Sequence, residues 1–259
     1  MSRVRIHSAN GIGRLVLDRP EKKNALDYDT LNELHAGLER LGVDAAVRVI
    51  ALEGAGKDFC AGADLEALSR MVDAPAKEHR RDAESLARVI RSIRALPKPV
   101  VAIVRGRALA GGCGLATSCD IVIAGEGATF GYPEVRVGFV PAMVMTVLRR
   151  IVGERWAADL VLTGRTLGAR EAEQIGLISR VASDNVLESA ADELLAQLAA
   201  MPPGALARTK QLLYDLGELT FDDGLTLAAE RNVEARQTEE FRDGVRRFLD
   251  RPKSKGKGT

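Results

Sequence analysis

Short β-branched runs alternate with longer helical segments through the first half of this sequence, and this alternation most restricts its fold. Residues 47–52 and 99–104 are typical of buried strands, and a helical segment over residues 76–96 lies between them. A Gly-rich turn then opens a helix of small residues at 111–118, and a further short strand is predicted at 121–124. Repeated alternation of strands and helices predicts an α/β core.

The rest of the chain adds a hairpin and a helical region to this core. Asn10-Gly11 stands between two alternating apolar segments, and a type I′ turn needs the positive φ that such residues adopt. Apolar residues at helical spacing predict a helix over residues 27–41, with Asp27 or Asp29 as its N-cap. In the second half, helices are predicted over residues 141–152, 154–162, 169–176, 186–201, 203–216 and 221–249.

The composition argues against several function classes. The 259 residues include 37 Lys and Arg against 36 Asp and Glu, and a formal charge of +1 gives no general attraction for nucleic acid or acidic membranes. No apolar run approaches the roughly 18 residues needed to span a bilayer, and residues 1–12 alternate like a strand instead of forming a signal peptide. The 3 cysteines have no C-x-x-C spacing, which fits a reducing compartment. We therefore expect a cytoplasmic protein that folds without disulfide or metal.

Several common sites are excluded because the residues that they need are missing. Gly106 and Gly111 have the spacing of a P-loop, but Gly112 and Cys113 stand where Lys and Ser or Thr are required. The same segment lacks the G-x-G-x-x-G pattern of a dinucleotide site. Cys60 and Cys113 have no candidate base that would make either a nucleophile. The histidines occupy no metal or triad spacing and are expected to be surface or packing residues: His7, His35 and His79.

Three segments are better explained by a ligand than by folding alone. Residues 59–65 and residues 108–115 place small residues where a helix begins, which leaves backbone N–H groups open to a ligand. Residues 130–139 hold Glu134 in a mostly apolar stretch, where burial would raise its pKa and suit it to proton transfer. A helix cap, a packing contact or a salt bridge explains any one segment, but the three together favour a binding site.

Together with residues 19–26, these segments resemble the crotonase superfamily of enoyl-CoA hydratases and isomerases, from about residue 3 to about residue 250. The resemblance implies an α/β fold, a crotonase-like spiral of ββα units with a C-terminal helical trimerisation region, assembled as a homotrimer or a dimer of trimers. We expect the spiral core at residues 1–195, the helical region at 196–250 and a flexible tail at 251–259. The implied substrate is an acyl-CoA thioester, with no nucleic-acid or membrane partner.

The resemblance also implies roles for individual residues. Main-chain N–H groups of Ala63 and Gly111 would stabilise the enolate that forms at the thioester, and Glu134 would move protons. Coenzyme A would lie along residues 19–26 and 61–65. The substrate-binding residues implied in this way are Lys23, Ala25, Leu26, Ala61, Gly62, Asp64, Leu65, Gly112, Pro133 and Ala142. No metal and no separate cofactor are implied, because coenzyme A is part of the substrate.

Two positions depart from the family pattern and bear on the reaction. Gly114 stands where typical hydratases of the family carry the first of two Glu residues, and Gly114 and Ala142 replace the two Asp residues of dienoyl-CoA isomerases. A lone base can still take a proton from C2 and return it at C4, so Δ3-to-Δ2 enoyl-CoA isomerisation is favoured over hydration. The bulky apolar residues at 140–145 predict a dry pocket.

Three alternatives stay open at this point. A 2-enoyl-CoA hydratase would need a second carboxylate from another loop, with candidates Glu66, Glu78 and Asp82. Decarboxylation or thioester hydrolysis would use the same enolate. A non-catalytic CoA- or RNA-binding module is a different class, and the near-zero net charge argues against it.

Two further sets of residues are expected around the substrate. The acyl pocket is expected to draw on residues 65–90 together with Met143, Val144 and Trp156. Candidates for contacts with the phosphates of coenzyme A, from the same or a neighbouring subunit, are Arg246, Arg247 and Lys253. The alternative for these three is an ordinary surface charge.

Overall fold

Two β-sheets form the framework of the first 200 residues. The computed structural model describes residues 2–250 of the chain. The strands are β1 (Val4–Ala9), β2 (Ile12–Leu17), β3 (Val49–Gly54), β4 (Val100–Val104), β5 (Arg107–Leu109), β6 (Ile121–Gly125), β7 (Thr129–Gly131), β8 (Thr166–Gly168) and β9 (Arg180–Ala182). The larger sheet has the order β1-β2-β3-β4-β6-β9 and the smaller sheet the order β5-β7-β8. The larger sheet is parallel apart from the β1–β2 hairpin.

The helices fall into two compact units that divide the chain after Ala200. The first unit contains α1 (Tyr28–Val43), α2 (Leu65–Arg70), α3 (Ala76–Ala95), α4 (Gly111–Ser118), α5 (Ala142–Thr163), α6 (Ala169–Gln174) and α7 (Leu187–Ala199). The second unit contains α8 (Pro203–Asp215), α9 (Phe221–Arg236) and α10 (Glu239–Leu249).

The parallel strands at the centre of the larger sheet are buried on both faces. Side chains alternate along a strand, so Ile50 and Leu52 of β3 pack into one apolar cluster while Val49 and Ala51 pack into another. The first cluster includes residues of α1, α3 and α4, and the second includes residues of α7. This double cover explains why these strands are continuous apolar runs in the sequence.

Most local predictions are confirmed, and so is the α/β class. Asn10 and Gly11 have φ of 52° and 81° in the turn between β1 and β2. Asp27 is the N-cap of α1 and accepts a hydrogen bond from the Thr30 N–H at 2.9 Å. The break predicted between residues 152 and 154 is present inside α5, where Gly153 has φ 73° and ψ 170°.

One helix prediction is wrong, because residues 221–249 form two helices. α9 ends at Arg236, and α10 begins at Glu239 after Thr238, whose hydroxyl accepts a hydrogen bond from the Phe241 N–H. A threonine hydroxyl competes for backbone donors in this way, so it favours a helix N-terminus over a helix interior.

Two predicted boundaries can be placed against these elements. The sequence predicts a domain boundary between residues 195 and 196, a point inside α7. The predicted flexible tail at 251–259, with Lys253, lies outside the described residues. Across residues 2–250, no helix combines the length and apolar character that crossing a membrane requires.

Candidate active site

Backbone pairing between two loops positions Ala63. The Leu26 N–H donates to the Gly62 carbonyl at 2.7 Å, and the Asp64 N–H donates to the Leu26 carbonyl at 2.8 Å. In parallel pairing, the residue between two such bonds directs its own N–H to the opposite side. The Ala63 N–H therefore points away from Leu26, and it has no protein acceptor among residues 2–250.

A second ladder of backbone bonds positions the start of α4. The Leu109 N–H donates to the Cys60 carbonyl at 3.0 Å, and the Ala110 N–H donates to the Gly131 carbonyl at 2.8 Å. Ala110 has φ 49° and ψ −127°, a strained conformation for a residue with a Cβ atom that is typical of functional turns. The chain thereby turns sharply into α4, whose first N–H groups cannot bond within the helix. In the described part of the chain, the Gly111 N–H has no acceptor.

A cavity of about 320 Å³ brings the proposed catalytic residues together. Of the predicted catalytic and substrate-binding residues, those that line it are Leu26, Ala63, Asp64, Gly111, Glu134 and Ala142. Its walls are mainly apolar and include Leu68, Met71, Leu86, Phe139, Val140, Pro141, Met143 and Val144. The lining thus includes the two residues whose N–H groups are unpaired and the carboxyl predicted to move protons.

Glu134 occupies a tight turn at the wall of this cavity. The turn is a 3₁₀ helix, Pro133–Val137, that begins with proline and ends at Gly138 in the left-handed region with φ 73°. Glu134 is 8% exposed, and its Oε2 atom has no hydrogen-bond partner among the described residues. Burial raises the pKa of Glu134 above its ordinary value. An unpartnered buried carboxyl is costly to fold, which is typical of a group that meets a ligand.

A buried tyrosine holds the Glu134 turn against α4. Tyr132 is fully buried, and its hydroxyl lies 3.2 Å from Thr117 Oγ1 and hydrogen-bonds with the Cys113 thiol. Because Gly111 opens the same helix, one cluster orients both an unpaired N–H and the carboxyl. Burial raises the pKa of Cys113 to about 12, and it raises the pKa of Cys60 to about 12 as well. Both thiols stay protonated, so neither is an activated nucleophile.

Val144 fills the space beside Gly114 that a second carboxyl would need. A Cβ atom built on Gly114 would lie 2.5 Å from the Val144 Cβ atom and closer still to its Cγ1 atom. Both residues are buried. The absence of a carboxylate at position 114 is therefore matched by close packing, and the wall next to it is apolar and closed.

Two of the carboxyls that line the cavity, those of Asp27 and Asp64, form ion pairs and hydrogen bonds within the protein. Arg19 lies between them, 3.0 Å from Asp27 and 2.8 Å from Asp64. Burial opposes the ionisation of both, yet hydrogen bonds from Thr30 and the charges of the arginines hold the pKa of Asp27 below its ordinary value. The Arg19 hydrogen bond likewise lowers the pKa of Asp64, which also caps α2 through the Glu66 and Ala67 N–H groups. These two carboxylates organise the loops.

Seven of the predicted substrate-binding residues do not line the cavity, namely Lys23, Ala25, Ala61, Gly62, Leu65, Gly112 and Pro133. Several of them support its walls instead. The Lys23 carbonyl accepts from the Ala61 N–H at 3.0 Å, and a Cβ atom on Gly62 would lie 2.8 Å from the Ala110 Cβ atom. Leu65, by contrast, is 68% exposed.

The pocket prediction is correct for some residues and wrong for others. Met143 and Val144 line the cavity, whereas Trp156 does not. Of the candidate second carboxylates, only Asp82 is in the lining. Glu66 pairs with Lys22 at 2.6 Å, and Glu78 is exposed.

Arg246 and Arg247, which were predicted to contact the phosphates of coenzyme A, both lie on α10 of the second unit. Arg246 lies 3.4 Å from Asp243, and the Arg247 guanidinium donates to the Asp243 carbonyl. These are contacts within α10.

His79 is a cavity residue to which the sequence assigned no role of its own, although residues 65–90 were expected around the acyl chain. It was expected to be a surface or packing residue, and it is exposed but also lines the cavity. His79, Asp82, Ala83 and Leu86 lie on α3 at positions i, i+3, i+4 and i+7, so they share one face of the helix. That spacing was the available signal, although the sequence alone does not say that the face meets a cavity.

The fold and the cavity together define an α/β protein of the crotonase type, in which unpaired main-chain N–H groups and a buried carboxyl line one pocket. A family model for enoyl-CoA hydratase/isomerase matches residues 7–258. The chain belongs to the enoyl-CoA hydratase/isomerase family, which acts on acyl-CoA thioesters. The recognition of the family and the crotonase fold with its C-terminal helical region are confirmed.

Individual relatives agree with this assignment. A Thermus thermophilus protein named as an enoyl-CoA hydratase is 42% identical over 91% of this chain and 93% of its own. The short-chain-enoyl-CoA hydratase of Clostridium acetobutylicum is 34% identical over 99% of this chain and 98% of its own. The crystal structure of an enoyl-CoA hydratase from Shewanella pealeana has a TM-score of 0.91 and 30% identity, and the match covers 96% of this chain and 93% of that one. These names give no support to isomerisation over hydration.

Proposed function

We propose that this protein moves the double bond of an enoyl-CoA from Δ3 to Δ2, with Glu134 as the base and the Ala63 and Gly111 N–H groups as the oxyanion hole. The observation that carries the proposal is the packing of Val144 against Gly114. It removes the place where a second carboxyl would stand to hold a water molecule with Glu134. A reaction that needs a single base fits this site better than the addition of water.

In this mechanism Glu134 transfers one proton between two carbons of the substrate. The carboxylate takes a proton from C2, the electrons of that C–H bond move into the thioester, and negative charge develops on the thioester oxygen. Two fixed N–H donors meet that charge without reorganising, and each typically contributes about 2.7–4 kcal/mol of transition-state stabilisation. The protonated Glu134 then returns the proton at C4 as the double bond forms between C2 and C3. No metal or separate cofactor takes part.

The apolar wall favours this proton transfer. Phe139, Val140 and Pro141 line the cavity beside the Glu134 turn, and Met143 follows them at the start of α5. When the substrate covers this wall, competing water is excluded, which strengthens the electrostatic contacts of the enolate and keeps the transferred proton on Glu134.

The test is the Glu134→Gln variant, assayed on 3-enoyl-CoA and on 2-enoyl-CoA. We expect kcat/KM for isomerisation to fall by about 10²–10⁴-fold, because the amide cannot accept the proton. Glu84→Gln is the matched control, since Glu84 is an exposed carboxylate on α3 outside the cavity lining. Unchanged turnover of both substrates by Glu134→Gln would remove Glu134 from the mechanism.

Hydration of 2-enoyl-CoA is the second candidate, and two observations favour it. The relatives carry hydratase names, and Asp82 supplies a second carboxyl to the cavity. Mass spectrometry for water addition and chromatography for double-bond migration separate the two reactions on the purified protein. We expect migration to be faster than hydration. A hydration rate above the isomerisation rate would reverse the order.

A designed gain of function tests the same distinction. In the double variant Gly114→Glu with Val144→Gly, the loss of the Val144 Cβ atom and its methyl groups makes room for a carboxyl beside Glu134, because the nearest remaining atom is the Cα atom of residue 144 at 3.4 Å. We expect the variant to hydrate 2-enoyl-CoA faster than the wild type. Val144→Gly alone is the control, because it opens the space without adding the acid. Equal hydration by all three proteins would show that the closed wall does not decide the reaction.

The proposal also includes the assembly and setting implied by the resemblance. The protein acts as a homotrimer or a dimer of trimers in the cytoplasm, without a nucleic-acid or membrane partner. Light scattering should give three or six times the mass of one chain. The rival of another class, a non-catalytic CoA- or RNA-binding module, requires that no acyl-CoA is turned over and that RNA affinity falls steeply with salt.

A further inference from the structure

The carboxyls of the cavity divide into two pairs with different environments. Asp27 and Asp64 are held by Arg19 and by backbone N–H donors. Glu134 and Asp82 have no hydrogen-bond partner for their side-chain oxygens in the part of the chain that the structure describes, apart from the Glu134 backbone. Contacts within the protein therefore explain the presence of the Asp27 and Asp64 carboxyls in the cavity but not that of Glu134 and Asp82. Glu134 has a role in the proposed reaction, and Asp82 is left without one.

Asp82 lies on α3, apart from the atoms that would hold the thioester. Leu86 of the same helix lies next to the oxyanion hole, since its Cδ2 atom is 3.6 Å from a Cβ atom built on Gly111. A helix rises 1.5 Å per residue, so Asp82 is about 6 Å and His79 about 10 Å from Leu86 along the helix axis. The same wall is thus apolar beside the oxyanion hole and polar one to two turns away.

The neighbours of Asp82 distinguish it from a second catalytic carboxyl. Desolvation by burial, followed by the negative charge of Asp27, raises the pKa of Asp82, while His79 acts in the opposite direction. Glu134 is not among the groups that perturb Asp82, and Asp82 is not among those that perturb Glu134. Two carboxylates that hold one water molecule perturb each other's pKa, so the separate environments of Asp82 and Glu134 favour a role for Asp82 other than that of a second catalytic carboxyl.

We propose that Asp82 and His79 form a recognition site for a hydroxyl group carried by the acyl chain away from the thioester. A hydroxyl donates to the Asp82 carboxylate and accepts from the His79 ring, so it satisfies both groups at once. A plain alkyl chain would cover Asp82 without giving it a partner, which is unfavourable. A carboxylate at the same place would meet the negative charges of Asp82 and Asp27. The proposal rests on the proposed function, because it needs an acyl thioester in this cavity.

The test compares enoyl-CoA substrates of equal chain length that end in a methyl, a hydroxyl or a carboxyl group. We expect wild-type kcat/KM to be higher for the hydroxylated chain by about tenfold or more, since a hydrogen bond to a charged group is worth about this factor. In Asp82→Asn the ratio of hydroxylated to plain substrate should fall to within about threefold, mainly through KM. Glu84→Gln, on the exposed side of α3, should keep the wild-type ratio.

Each other outcome overturns the proposal in a recognisable way. Equal wild-type kcat/KM for the methyl and hydroxyl chains, or a preference for the carboxyl chain, rejects hydroxyl recognition while the proposed function stands. An equal loss of kcat on every substrate in Asp82→Asn assigns proton transfer to Asp82 instead.

A binding measurement separates this proposal from the reaction. If the wild type turns over none of the three substrates, the proposed isomerisation fails, and calorimetry with the corresponding saturated acyl-CoAs replaces the kinetic ratio. Tighter binding of the hydroxylated chain then supports recognition at Asp82, and equal dissociation constants reject it. Circular dichroism of Asp82→Asn confirms that the variant is folded.

Discussion

At the scale of single residues, the environment and not the residue type decides what each carboxyl does. Asp64 is 4% exposed and ionised because Arg19 and two backbone N–H groups stabilise its charge. Glu134 is 8% exposed without such partners, so burial raises its pKa. The first carboxylate stabilises the fold, whereas the second reduces stability when it ionises and is available to a substrate.

The raised pKa of Glu134 has a consequence for stability that depends on pH. Below the ordinary Glu pKa of about 4.3 the group is neutral in both the folded and the unfolded chain. As pH rises through the raised pKa, ionisation costs more in the folded state, so folding stability falls.

Glu134→Gln removes this cost, and we expect it to raise Tm at pH 7, by about 2–4 °C for each kcal/mol relieved. The gain should be much smaller at about pH 4, because the group is then mostly neutral in both the folded and the unfolded chain. Thermal unfolding followed by circular dichroism at the two pH values checks this, with Glu84→Gln as the exposed control. A Tm at pH 7 equal to or below that of the wild type would contradict it.

Gly62 has no side chain, and this allows the close approach of the two loops that form the oxyanion hole. It has φ 95°, and a Cβ atom there would lie 2.8 Å from the Ala110 Cβ atom and 2.9 Å from the Leu109 carbonyl oxygen. Gly62→Ala should lower stability by about 1–3 kcal/mol from overpacking, in addition to backbone strain. It should also reduce kcat, because the neighbouring Ala63 N–H moves.

Gly176→Ala is the matched control for this substitution. Gly176 has φ 77°, and a Cβ atom there meets nothing within 4 Å, so the variant carries the strain without the clash. Chemical denaturation and isomerase assays compare the two. Equal effects of both substitutions on stability and on kcat would show that the contact with Ala110 does not matter.

At the scale of elements, the N-termini of two helices provide the backbone N–H groups of the candidate site. α2 and α4 both begin where a loop presents an unpaired N–H, but they begin differently. Asp64 caps α2 with its side chain, whereas α4 has no side-chain cap, and Ala110 turns the chain in a strained conformation. An uncapped helix start leaves its N–H groups and their partial positive charge for a ligand.

The Asp64 cap links α2 to the turn at residues 19–26. Asp64→Ala removes both the cap and one of the two carboxylates that pair with Arg19, which keeps Asp27, so we expect a loss of about 2 kcal/mol or more in the free energy of unfolding. Thr238→Ala removes a cap at the start of α10 that has no such ion pair, and about 1 kcal/mol is expected there. Urea denaturation measures both. A loss at Asp64 no larger than that at Thr238 would mean that the Arg19 contact contributes nothing.

At the scale of the whole molecule, the sheet that is buried on both faces supports the two loops of the oxyanion hole, whereas the Glu134 turn follows β7 of the smaller sheet. β3 leads toward the 59–65 segment, β4 toward the 105–110 segment, and both strands are buried on each face. The positions of Ala63 and Gly111 therefore depend on the packing of side chains that are far from any substrate.

A core substitution tests this dependence. Leu52 is 0% exposed in β3, and Leu52→Ala should lower the free energy of unfolding by about 2–5 kcal/mol through lost burial and a residual cavity. Leu162→Ala, in which the leucine is 73% exposed on α5, should change it by less than about 0.5 kcal/mol. Equilibrium denaturation compares them. Similar losses would show that β3 is not part of a closely packed core.

The elements that the sequence predicted well are those with local causes. The hairpin at Asn10-Gly11, the Asp27 cap and the break at Gly153 all depend on residues that are neighbours in the chain. The prediction of a single helix over residues 221–249 was wrong because the apolar periodicity continues through Thr238, while the hydroxyl of that residue caps the start of a new helix. Periodicity reports a helical face and not the point where a helix ends.

The sequence by itself determined the family, the α/β class and the three segments that form the candidate site, because these depend on residue type and spacing along the chain. Only the tertiary structure decided that Val144 closes the space at Gly114 and that His79 and Asp82 of α3 line the same cavity as Glu134. These features depend on distances between residues that are remote in sequence. Such distances are set by how whole elements pack, and no local pattern encodes them.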